Sequence, residues 1–405
     1  MKTLVPSKLW SNGIIKKYLL FGGLDYFSHA LVGATYVLFL LSRGASLWQV
    51  GLVNVFFMLT TILVEVPTGV FADHYGRRLS LFLGSLLAAA GSIVYFFAAS
   101  FWLFVVAEII VGFGRSFVSG ALDAWLVDSL HHVGQAGLKA KAFRARQIFD
   151  ASGLALGGLI GAWLGSRGIA SPWLYSALSF VFIGLFSLSF REIYRSEEKT
   201  PFRQSHLVSA FKACGHGLKN PDLIYAMAFG AILSLSLQAL NMQWTKLFTS
   251  QYGLNIGHLG WIIMGIALAK ASSGTLSRWA GRIIGHEKRS LIITQTMTAA
   301  AIIFAAQVSG LALATAAFLI HEIGREMFLP LKQNYLNQRI TAKCRATLLS
   351  LDSMLSKIGS LIGLILSGWL ATTYSIRLAW TVSGLLLLTA ALLFLIIKRK
   401  AAARA

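Results

Sequence analysis

The sequence predicts an all-α integral membrane protein whose twelve transmembrane helices form two pseudo-symmetric six-helix bundles. Three observations lead to this fold class: an apolar composition, twelve apolar stretches of membrane-spanning length, and a motif that occurs once in each half of the chain. Hydrophobic residues make up 56% of the 405 residues and charged residues only 13%, whereas soluble domains carry about 25% charged residues. A larger soluble core cannot absorb this excess, because a single core stops growing near ~250–300 residues.

The apolar stretches predict the transmembrane helices, since a helix needs ~20 apolar residues to cross the hydrocarbon. The first stretch is too long for the core of a secretory signal, and no small-residue cleavage site follows it. We therefore expect it to remain as span 1, and Ser309 and Gly310 alone to separate spans 9 and 10. The predicted spans lie near residues 18–41, 47–70, 79–98, 102–124, 147–166, 172–191, 223–246, 256–277, 290–309, 311–330, 349–370 and 378–397.

The basic residues predict the orientation of these spans. With the N terminus in the cytoplasm, 28 of the 36 lysines and arginines fall in cytoplasmic segments. By the positive-inside rule, both termini are then cytoplasmic and the protein lies in the cytoplasmic (inner) membrane. The net charge of +21 does not indicate nucleic-acid binding, because the basic clusters are short and form no continuous basic face. External segments hold Arg43, Arg167, Lys246 and Arg377.

The longest polar segment, residues 192–221, divides the chain into an N-terminal half, 1–191, and a C-terminal half, 222–405. Residues 204–219 form a basic amphipathic stretch that either lies along the membrane surface or is an ordinary solvated linker helix. Cys214 and Cys344 match no metal-site spacing, and we expect two free thiols in a reducing compartment.

A nine-residue pattern, Gly-x3-polar-x2-Gly-Arg, occurs between spans 2 and 3 and again between spans 8 and 9. Residues 69–78 read Gly-Val-Phe-Ala-Asp-His-Tyr-Gly-Arg-Arg, and residues 274–282 read Gly-Thr-Leu-Ser-Arg-Trp-Ala-Gly-Arg, at an offset of 205 residues. Such a repeat is typical of transporters built from two six-helix halves. The first copy resembles the loop that marks the major facilitator superfamily. His74 departs from it at a usually basic position, and Arg278 replaces the acid in the second copy.

This resemblance implies a cytoplasmic gate that holds the two halves together. Gly69 would let span 2 approach a neighbouring helix closely, and Asp73 would accept hydrogen bonds at the N-terminus of span 11. Arg77 would reach Asp128 at the end of span 4. The alternative is a solvated turn whose arginines only contribute to the excess of positive charge on the cytoplasmic side. The gate residues implied in this way are Gly69, Asp73, Gly76, Arg77, Arg78 and Asp128.

Span 5 carries a glycine at every fourth position. This spacing predicts close helix packing. It also resembles the antiporter motif of the drug-exporting branch, although Gly158 and Ala162 depart from that motif. Several other stretches resemble prokaryotic transporters assigned to drug or toxic-compound efflux. The four glycines are Gly153, Gly157, Gly161 and Gly165.

Ionisable residues at membrane depth are costly and usually face a polar cavity. The family resemblance implies that spans 1, 4, 7 and 10 line such a cavity. Lys270 in span 8 and Lys357 in span 11 fall outside this set. The candidates for substrate binding or proton coupling are Asp25, His29, Glu108, Arg115, Gln238, Asn241, His321, Glu322, Arg325 and Glu326.

Burial favours the neutral form of a carboxyl group, so a carboxylate in the cavity can take up and release a proton as access alternates. Asp25 is the first candidate for this role, because span 1 offers it no basic neighbour at helical spacing. Glu322 is the second. It shares one helix face with Arg325 and Glu326, and the three form either a structural ion-pair cluster or a proton site.

The remaining polar groups have two interpretations each. His29 and His321 are either hydrogen-bonded structural histidines or proton relays. Glu65 and Asp123, near the predicted cytoplasmic ends of their spans, are expected to be structural.

No catalytic constellation stands out. The chain has no phosphate-binding loop and no metal-site spacing, so we expect neither enzyme activity nor a cofactor. The leading hypothesis is a monomeric, proton-coupled exporter of organic or amphipathic compounds that works by rocker-switch alternating access. Its partners would be a small-molecule substrate, protons and the lipid bilayer.

Two other functions remain open. The same fold can serve as an uptake symporter for an anionic nutrient, metabolite or siderophore-like solute, attracted by Arg115, Lys270 and Arg325. A different class is a membrane receptor or scaffold that transports nothing.

Overall fold

The computed structural model describes residues 12–192, 221–340 and 345–396. These ranges consist of helices and short connections, without strands. Two 3₁₀ turns, Ala136–Leu138 and Ile256–His258, precede α7 and α10. The α-helices are α1 Gly13–Gly33, α2 Tyr36–Ser42, α3 Leu47–Tyr75, α4 Arg77–Phe97, α5 Phe101–Val118, α6 Ala121–His132, α7 Lys139–Arg167, α8 Ser171–Ser187, α9 Pro221–Tyr252, α10 Leu259–Ile284, α11 Glu287–Gln307, α12 Leu311–Asn337, α13 Arg345–Thr373 and α14 Ile376–Ile396.

Every predicted span has a helical counterpart. Ten helical stretches in the described ranges are long and apolar enough to cross a bilayer by length and composition. The shorter apolar helix α8 corresponds to span 6, and α12, which carries several charges, corresponds to span 10. The predicted all-α fold of twelve membrane helices is confirmed.

Local sequence explains where several helices begin. The side chain of Asn12 accepts hydrogen bonds from the N–H groups of Ile14 and Ile15 at 3.0 and 3.2 Å, which caps α1. Ser46 and Gln49 form a capping box at the start of α3.

Two predicted spans are interrupted. Span 1 is divided at residues 34–35 into α1 and α2, and span 4 is divided at Ser119 and Gly120 into α5 and α6. Gly120 has a φ of 76°, a backbone conformation that favours glycine. Both interruptions fall inside predicted spans, so the length of the apolar stretches alone did not reveal them.

The chain divides into two compact units. The first is built from residues 1–199 and 245–271, and the second from residues 200–244 and 272–405. In the first unit α1 packs against α7 and α8, while α4 packs against α5 and α8. In the second unit α11 packs against α12 and α14. The predicted division at 192–221 stays a prediction, because residues 193–220, including the stretch 204–219, lie outside the described residues, as does Cys344.

Apolar side chains cover much of the exposed helix surface. On α3 the side chains of Leu63, Val66 and Val70 are 73%, 74% and 63% exposed. An apolar exterior of this kind is stable in contact with lipid and unfavourable in water, which agrees with a multi-pass membrane protein.

The glycines of span 5 form a close contact with α1. A Cβ atom added at Gly153, Gly157 or Gly161 would collide with the backbone carbonyl oxygen of a residue in α1. The two backbones can approach only because these positions lack side chains. The close packing predicted from the spacing is therefore present, with α1 as the partner helix.

Gly69, by contrast, does not make the close contact expected of it. A Cβ atom at this position would meet no heavy atom of the described residues within 4 Å. Helix α3 approaches α5 through other residues: a Cβ at Gly112 would lie 3.1 Å from the side chain of Thr60, and Thr68 Oγ1 donates to the carbonyl oxygen of Ser116 at 3.2 Å. Gly69 is one position further along the helix and faces away from α5.

We expect Gly161→Ala to destabilise the protein, because the new methyl group would meet the carbonyl of Leu31. Overpacking of this kind typically costs ~1–3 kcal/mol. Thermal unfolding in detergent measures the effect, and Gly69→Ala is the matched control, since it adds the same methyl group in open space. Equal melting temperatures for the two variants would contradict the close contact between α1 and α7.

Candidate functional site

A cavity of about 250 Å³ in the first unit brings together several of the predicted site residues. Most of its wall is aromatic, and we call it the aromatic cavity. Aromatic surfaces of this kind suit a flat apolar ligand, while a few polar groups fix its orientation. The cavity is lined by Tyr26, His29, Val32, Tyr36, Phe57, Ser92, Tyr95, Glu108, Val111, Arg115, Trp173, Ser176 and Phe180.

Glu108 is buried in the wall of this cavity and is held by tyrosines. The hydroxyl of Tyr95 donates to Glu108 Oε2 at 2.5 Å, and that of Tyr36 reaches Oε1 at 3.5 Å. Asn54 Nδ2 donates to the Tyr36 hydroxyl at 2.8 Å, while the ring of Tyr95 stacks on Trp173 at 4.0 Å. Within the described ranges, no basic group lies within 4 Å of the Glu108 carboxylate. Its charge therefore has hydrogen-bond donors but no counter-ion.

Asp25 has a counter-ion on another helix. Arg115 Nη1 lies 2.9 Å from Asp25 Oδ2, and His29 Nε2 lies 3.8 Å from Oδ1. The Asp25 side chain is only 6% exposed, whereas that of Arg115 is 39% exposed. Asp25 was ranked first because span 1 was expected to hold no basic neighbour at helical spacing, but His29 lies four residues further along the same helix and Arg115 comes from α5.

A second cavity, of about 370 Å³, lies beside the first within the same unit, and we call it the polar cavity. Tyr26 and Arg115 line both cavities. The Asp25–Arg115 ion pair therefore stands at the boundary between them. The polar cavity is lined by Tyr18, Asp25, Tyr26, Arg115, Val118, Ser119, Gly120, Leu122, Asp123, Phe143, Arg146, Gln147 and Asp150.

The polar cavity contains a charge cluster that sequence reasoning missed. Arg146 Nε lies 2.5 Å from Asp150 Oδ1, and its Nη1 lies 3.9 Å from Asp123 Oδ1. Asp123 also accepts a hydrogen bond from Tyr18 at 2.7 Å. The sequence could have indicated this pair, because Asp150 is a carboxylate inside an apolar stretch and lies four residues after an arginine. Arg146 was instead assigned to a cytoplasmic loop.

Lys270 lies on span 8, outside the four spans expected to line the cavity, although the uptake alternative assigned it a role; in the structure it contacts a residue of the cavity wall. Its Nζ donates to the Tyr26 hydroxyl at 2.9 Å and lies 4.0 Å from the centroid of the same ring. This geometry combines a hydrogen bond with a cation–π contact. Because Tyr26 lines both cavities, Lys270 belongs to the candidate site.

In the second unit, the predicted group on span 10 is assembled around Arg325. Its Nη1 lies 3.0 Å from Glu322 Oε1 and donates to Asn241 Oδ1 at 2.9 Å. Arg325 Nε lies 3.9 Å from Glu326. His321 is fully buried, with Nδ1 2.5 Å from the carbonyl oxygen of Phe318 and Nε2 3.4 Å from Glu322.

Helix α9 contributes polar side chains to the same unit, and we call Gln238 and Asn241 the polar stripe of α9. Asn241 is one member of this stripe, and Gln238 donates to Ser360 Oγ at 3.1 Å. These contacts join α9 to α12 and α13. The roles of the group in structure or in proton coupling stay predictions.

The implied gate residues are adjacent in the first unit. Arg77 is buried, and its Nη2 lies 3.0 Å from Asp128 Oδ2 and 3.3 Å from Asp73 Oδ1. Gly76, with a φ of 101°, lets α4 start immediately after α3. The backbone N–H of Arg78 donates to the carboxylate of Glu192 at 2.8 Å. Sequence reasoning missed Glu192, which satisfies a donor at the start of α4 from a distant part of the chain.

The second unit contains a buried ion pair that was also missed. Lys332 Nζ lies 2.6 Å from Asp352 Oδ1, and the two side chains are 4% and 13% exposed. Lys332 was assigned to a cytoplasmic loop because the predicted span ended at Pro330. The predicted end of the span is wrong, since α12 continues through this proline to Asn337; the cytoplasmic side of Lys332 stays a prediction. Gly230 of α9 leaves the space that Lys332 Nζ occupies.

Known proteins resemble this chain along most of its length. A family model described as Major Facilitator Superfamily matches residues 18–286 and 224–405. The MFS-type transporter YxaM of Bacillus subtilis (strain 168) is 21% identical over 391 residues, 94% of this chain and 94% of the relative. The tetracycline resistance protein, class H, of Pasteurella multocida is 24% identical over 340 residues, covering 80% and 79%. The crystal structure of the nucleoside transporter NupG has a TM-score of 0.77 at 14% identity, covering 95% and 98%, which shows the same fold.

Replacing Lys332 by Met alone should lower the melting temperature in detergent strongly, because it leaves the buried Asp352 carboxylate without its counter-ion. Removal of one partner of a buried pair typically costs ~3–5 kcal/mol, whereas replacing both by apolar residues is often neutral. We therefore expect Lys332→Met with Asp352→Leu to restore much of the lost stability. A double variant as unstable as the sum of the two single variants would contradict the pairing.

Proposed function

The chain belongs to the major facilitator superfamily, and from this membership we propose that it exports organic or amphipathic compounds in exchange for protons. Members of this family are membrane transporters and not enzymes. The finer proposal concerns the cargo, the direction and the coupling ion. It also includes rocker-switch alternating access, a monomeric protein, and both termini in the cytoplasm.

The observation that carries the proposal is the environment of Glu108. Its carboxylate is 7% exposed in an aromatic wall, with tyrosine hydroxyls as its partners. A charge in such a place is unfavourable unless a cation or a proton accompanies it. Asp25 and Glu322 each have an arginine within 3.0 Å. Glu108 is therefore the carboxylate to which we assign proton coupling.

Proton binding at Glu108 supplies a simple coupling step. It would neutralise the one charge of the aromatic cavity that has no counter-ion among the described residues. Closing the cavity around a neutral carboxyl group costs less electrostatic free energy than closing it around a charged one. Return of the empty transporter would then carry the proton inward, while an organic compound would occupy the same aromatic cavity on the outward step. The relative named tetracycline resistance protein supports export as the direction.

The Asp25–Arg115 pair would act as a divider in this cycle. It lies where the aromatic cavity meets the polar cavity. While Asp25 and Arg115 remain in contact, they would separate a solute in the aromatic cavity from the charged groups around Arg146. Opening of the pair would join the two cavities into one path.

A second candidate function is uptake of an anionic solute. The observation in its favour is Lys270, whose ammonium group contacts Tyr26 at the edge of both cavities. The other two basic residues proposed to attract an anion are Arg115 and Arg325, and both are already paired with carboxylates. Export is therefore the better-supported proposal, and the direction of substrate accumulation separates the two.

We expect Glu108→Gln to abolish proton-driven export, because an amide in this position cannot exchange a proton. The measurement is accumulation of an amphipathic fluorescent dye by inverted membrane vesicles after an imposed proton gradient. Glu65→Gln is the matched control, since it removes an exposed carboxylate from α3 that lines neither cavity.

Three outcomes would contradict parts of this proposal. Full proton-driven transport in Glu108→Gln would exclude Glu108 as the coupling group, and an Asp25→Asn/Glu322→Gln variant would then test the remaining carboxylates. Inward accumulation of an anionic solute, lost on Lys270→Gln, would establish the uptake alternative. Absence of flux for every solute would favour a receptor or scaffold.

A further inference from the structure

A third cavity, of about 450 Å³, opens at one end of the first unit, where α1 begins, α6 ends and the chain leaves α8. We call it the basic pocket and define it by Lys17, Trp125, Ser129, His132, Gln135 and Arg191. It shares no lining residue with the aromatic or polar cavity. The charge distribution predicts that this end faces the cytoplasm.

The walls of the basic pocket are fixed by contacts between distant parts of the chain. Asn12 Nδ2 donates to Gln135 Oε1 at 2.5 Å, which ties the start of α1 to the turn after α6. The indole Nε1 of Trp125 donates to the carbonyl oxygen of Arg191 at 3.0 Å. Lys17 Nζ donates to the carbonyl oxygen of Ser189. These bonds join the walls of the pocket to one another.

Within the described residues, the basic side chains of the basic pocket have no carboxylate partner. No Asp or Glu belongs to its lining, and no carboxylate of the described ranges lies within 4 Å of Lys17, His132 or Arg191. The neighbouring Glu192 is engaged elsewhere, because its carboxylate accepts the N–H of Arg78. Concentrated positive charge without counter-ions attracts an anion.

Ser129 provides an independent indication of a ligand. Its side chain is 1% exposed, yet its Oγ has no hydrogen-bond partner among the described residues. A buried hydroxyl left without a partner is destabilising. An acceptor oxygen inside the pocket would satisfy this hydroxyl.

We propose that the basic pocket binds the phosphate group of an anionic phospholipid. A phosphate oxygen can accept from Ser129 Oγ while Lys17 and Arg191 neutralise its charge. The location supports a lipid as the source, since the pocket lies at the ends of three helices assigned to membrane spans, where anionic headgroups are found. Basic pockets between membrane helices recognise anionic headgroups in this way.

The test measures thermal unfolding of the purified full-length protein in detergent during titration with short-chain phosphatidylglycerol. We expect a stabilising shift that short-chain phosphatidylcholine does not produce. Lys17→Gln with Arg191→Gln should weaken the apparent affinity about thirtyfold, on the basis of roughly 1 kcal/mol for each basic residue near an anionic headgroup. Lys141→Gln with Arg144→Gln is the matched control, because it removes the same charge from exposed positions of α7.

Ser129→Ala separates ligand binding from a structural role. Because Ser129 Oγ has no partner among the described residues, the lipid-free melting temperature should not fall, while the lipid-induced shift should shrink several-fold. Equal shifts from inorganic phosphate or glycerol phosphate would make a soluble phosphate the ligand rather than a lipid.

Two results would overturn the proposal. One is an equal loss of lipid affinity in the Lys17→Gln/Arg191→Gln variant and in the Lys141→Gln/Arg144→Gln control, which would show that lipid affinity depends only on the net charge of the protein. The other is a larger lipid-induced shift after Glu197→Gln with Glu198→Gln, which would show that carboxylates of the chain itself occupy the pocket. Neither readout depends on transport, so failure here leaves the proposed export function untouched.

Discussion

A charge inside a bilayer requires a counter-charge or a hydrogen-bond donor in direct contact, and this requirement organises both compact units. Four ion pairs meet this requirement: Arg115 with Asp25, Arg146 with Asp150, Arg325 with Glu322, and Lys332 with Asp352. Removing either member of such a pair would leave a bare charge in an apolar medium. The pairs therefore fix which faces of α1, α5, α7, α12 and α13 point inward. Glu108 stands apart from this pattern, and its contacts with tyrosine hydroxyls are the clearest functional feature of the site.

The helix positions could be predicted from the sequence because they depend on a local property, the length of an apolar run. The family resemblance likewise needed only a short motif and its repeat. The pairs within one helix, Glu322 with Arg325 and Arg146 with Asp150, can be read from their spacing. The partners of Asp25, Glu108 and Lys332 could not be predicted, because they lie on other helices. Asp25 and Arg115 are 90 residues apart, and the tyrosines of Glu108 come from spans 1 and 3.

Other errors came from treating each boundary as a change in hydropathy. The prediction ended span 10 at Pro330, so Lys332 was counted as a loop residue although the helix continues past it. It also treated span 4 as unbroken, although Gly120 separates α5, with Glu108 and Arg115, from α6. Glycine spacing succeeded where it described a repeated face, as in span 5, and failed for the single Gly69, whose direction depends on neighbouring residues.

The separation of Asp25 and Arg115 along the chain also has a consequence for biogenesis. A ribosome synthesises about 5–20 residues per second, so the 90 residues between these two positions take about 5–20 s to produce. During that interval Asp25 has been synthesised but Arg115 has not, and the glycine face of α7 is made later still. The nascent N-terminal segment must therefore hold a carboxylate without its final counter-ion, by protonation, by water, or by contact with an insertion chaperone. A membrane insertase that shelters single polar groups would thus assist this protein most at its first span.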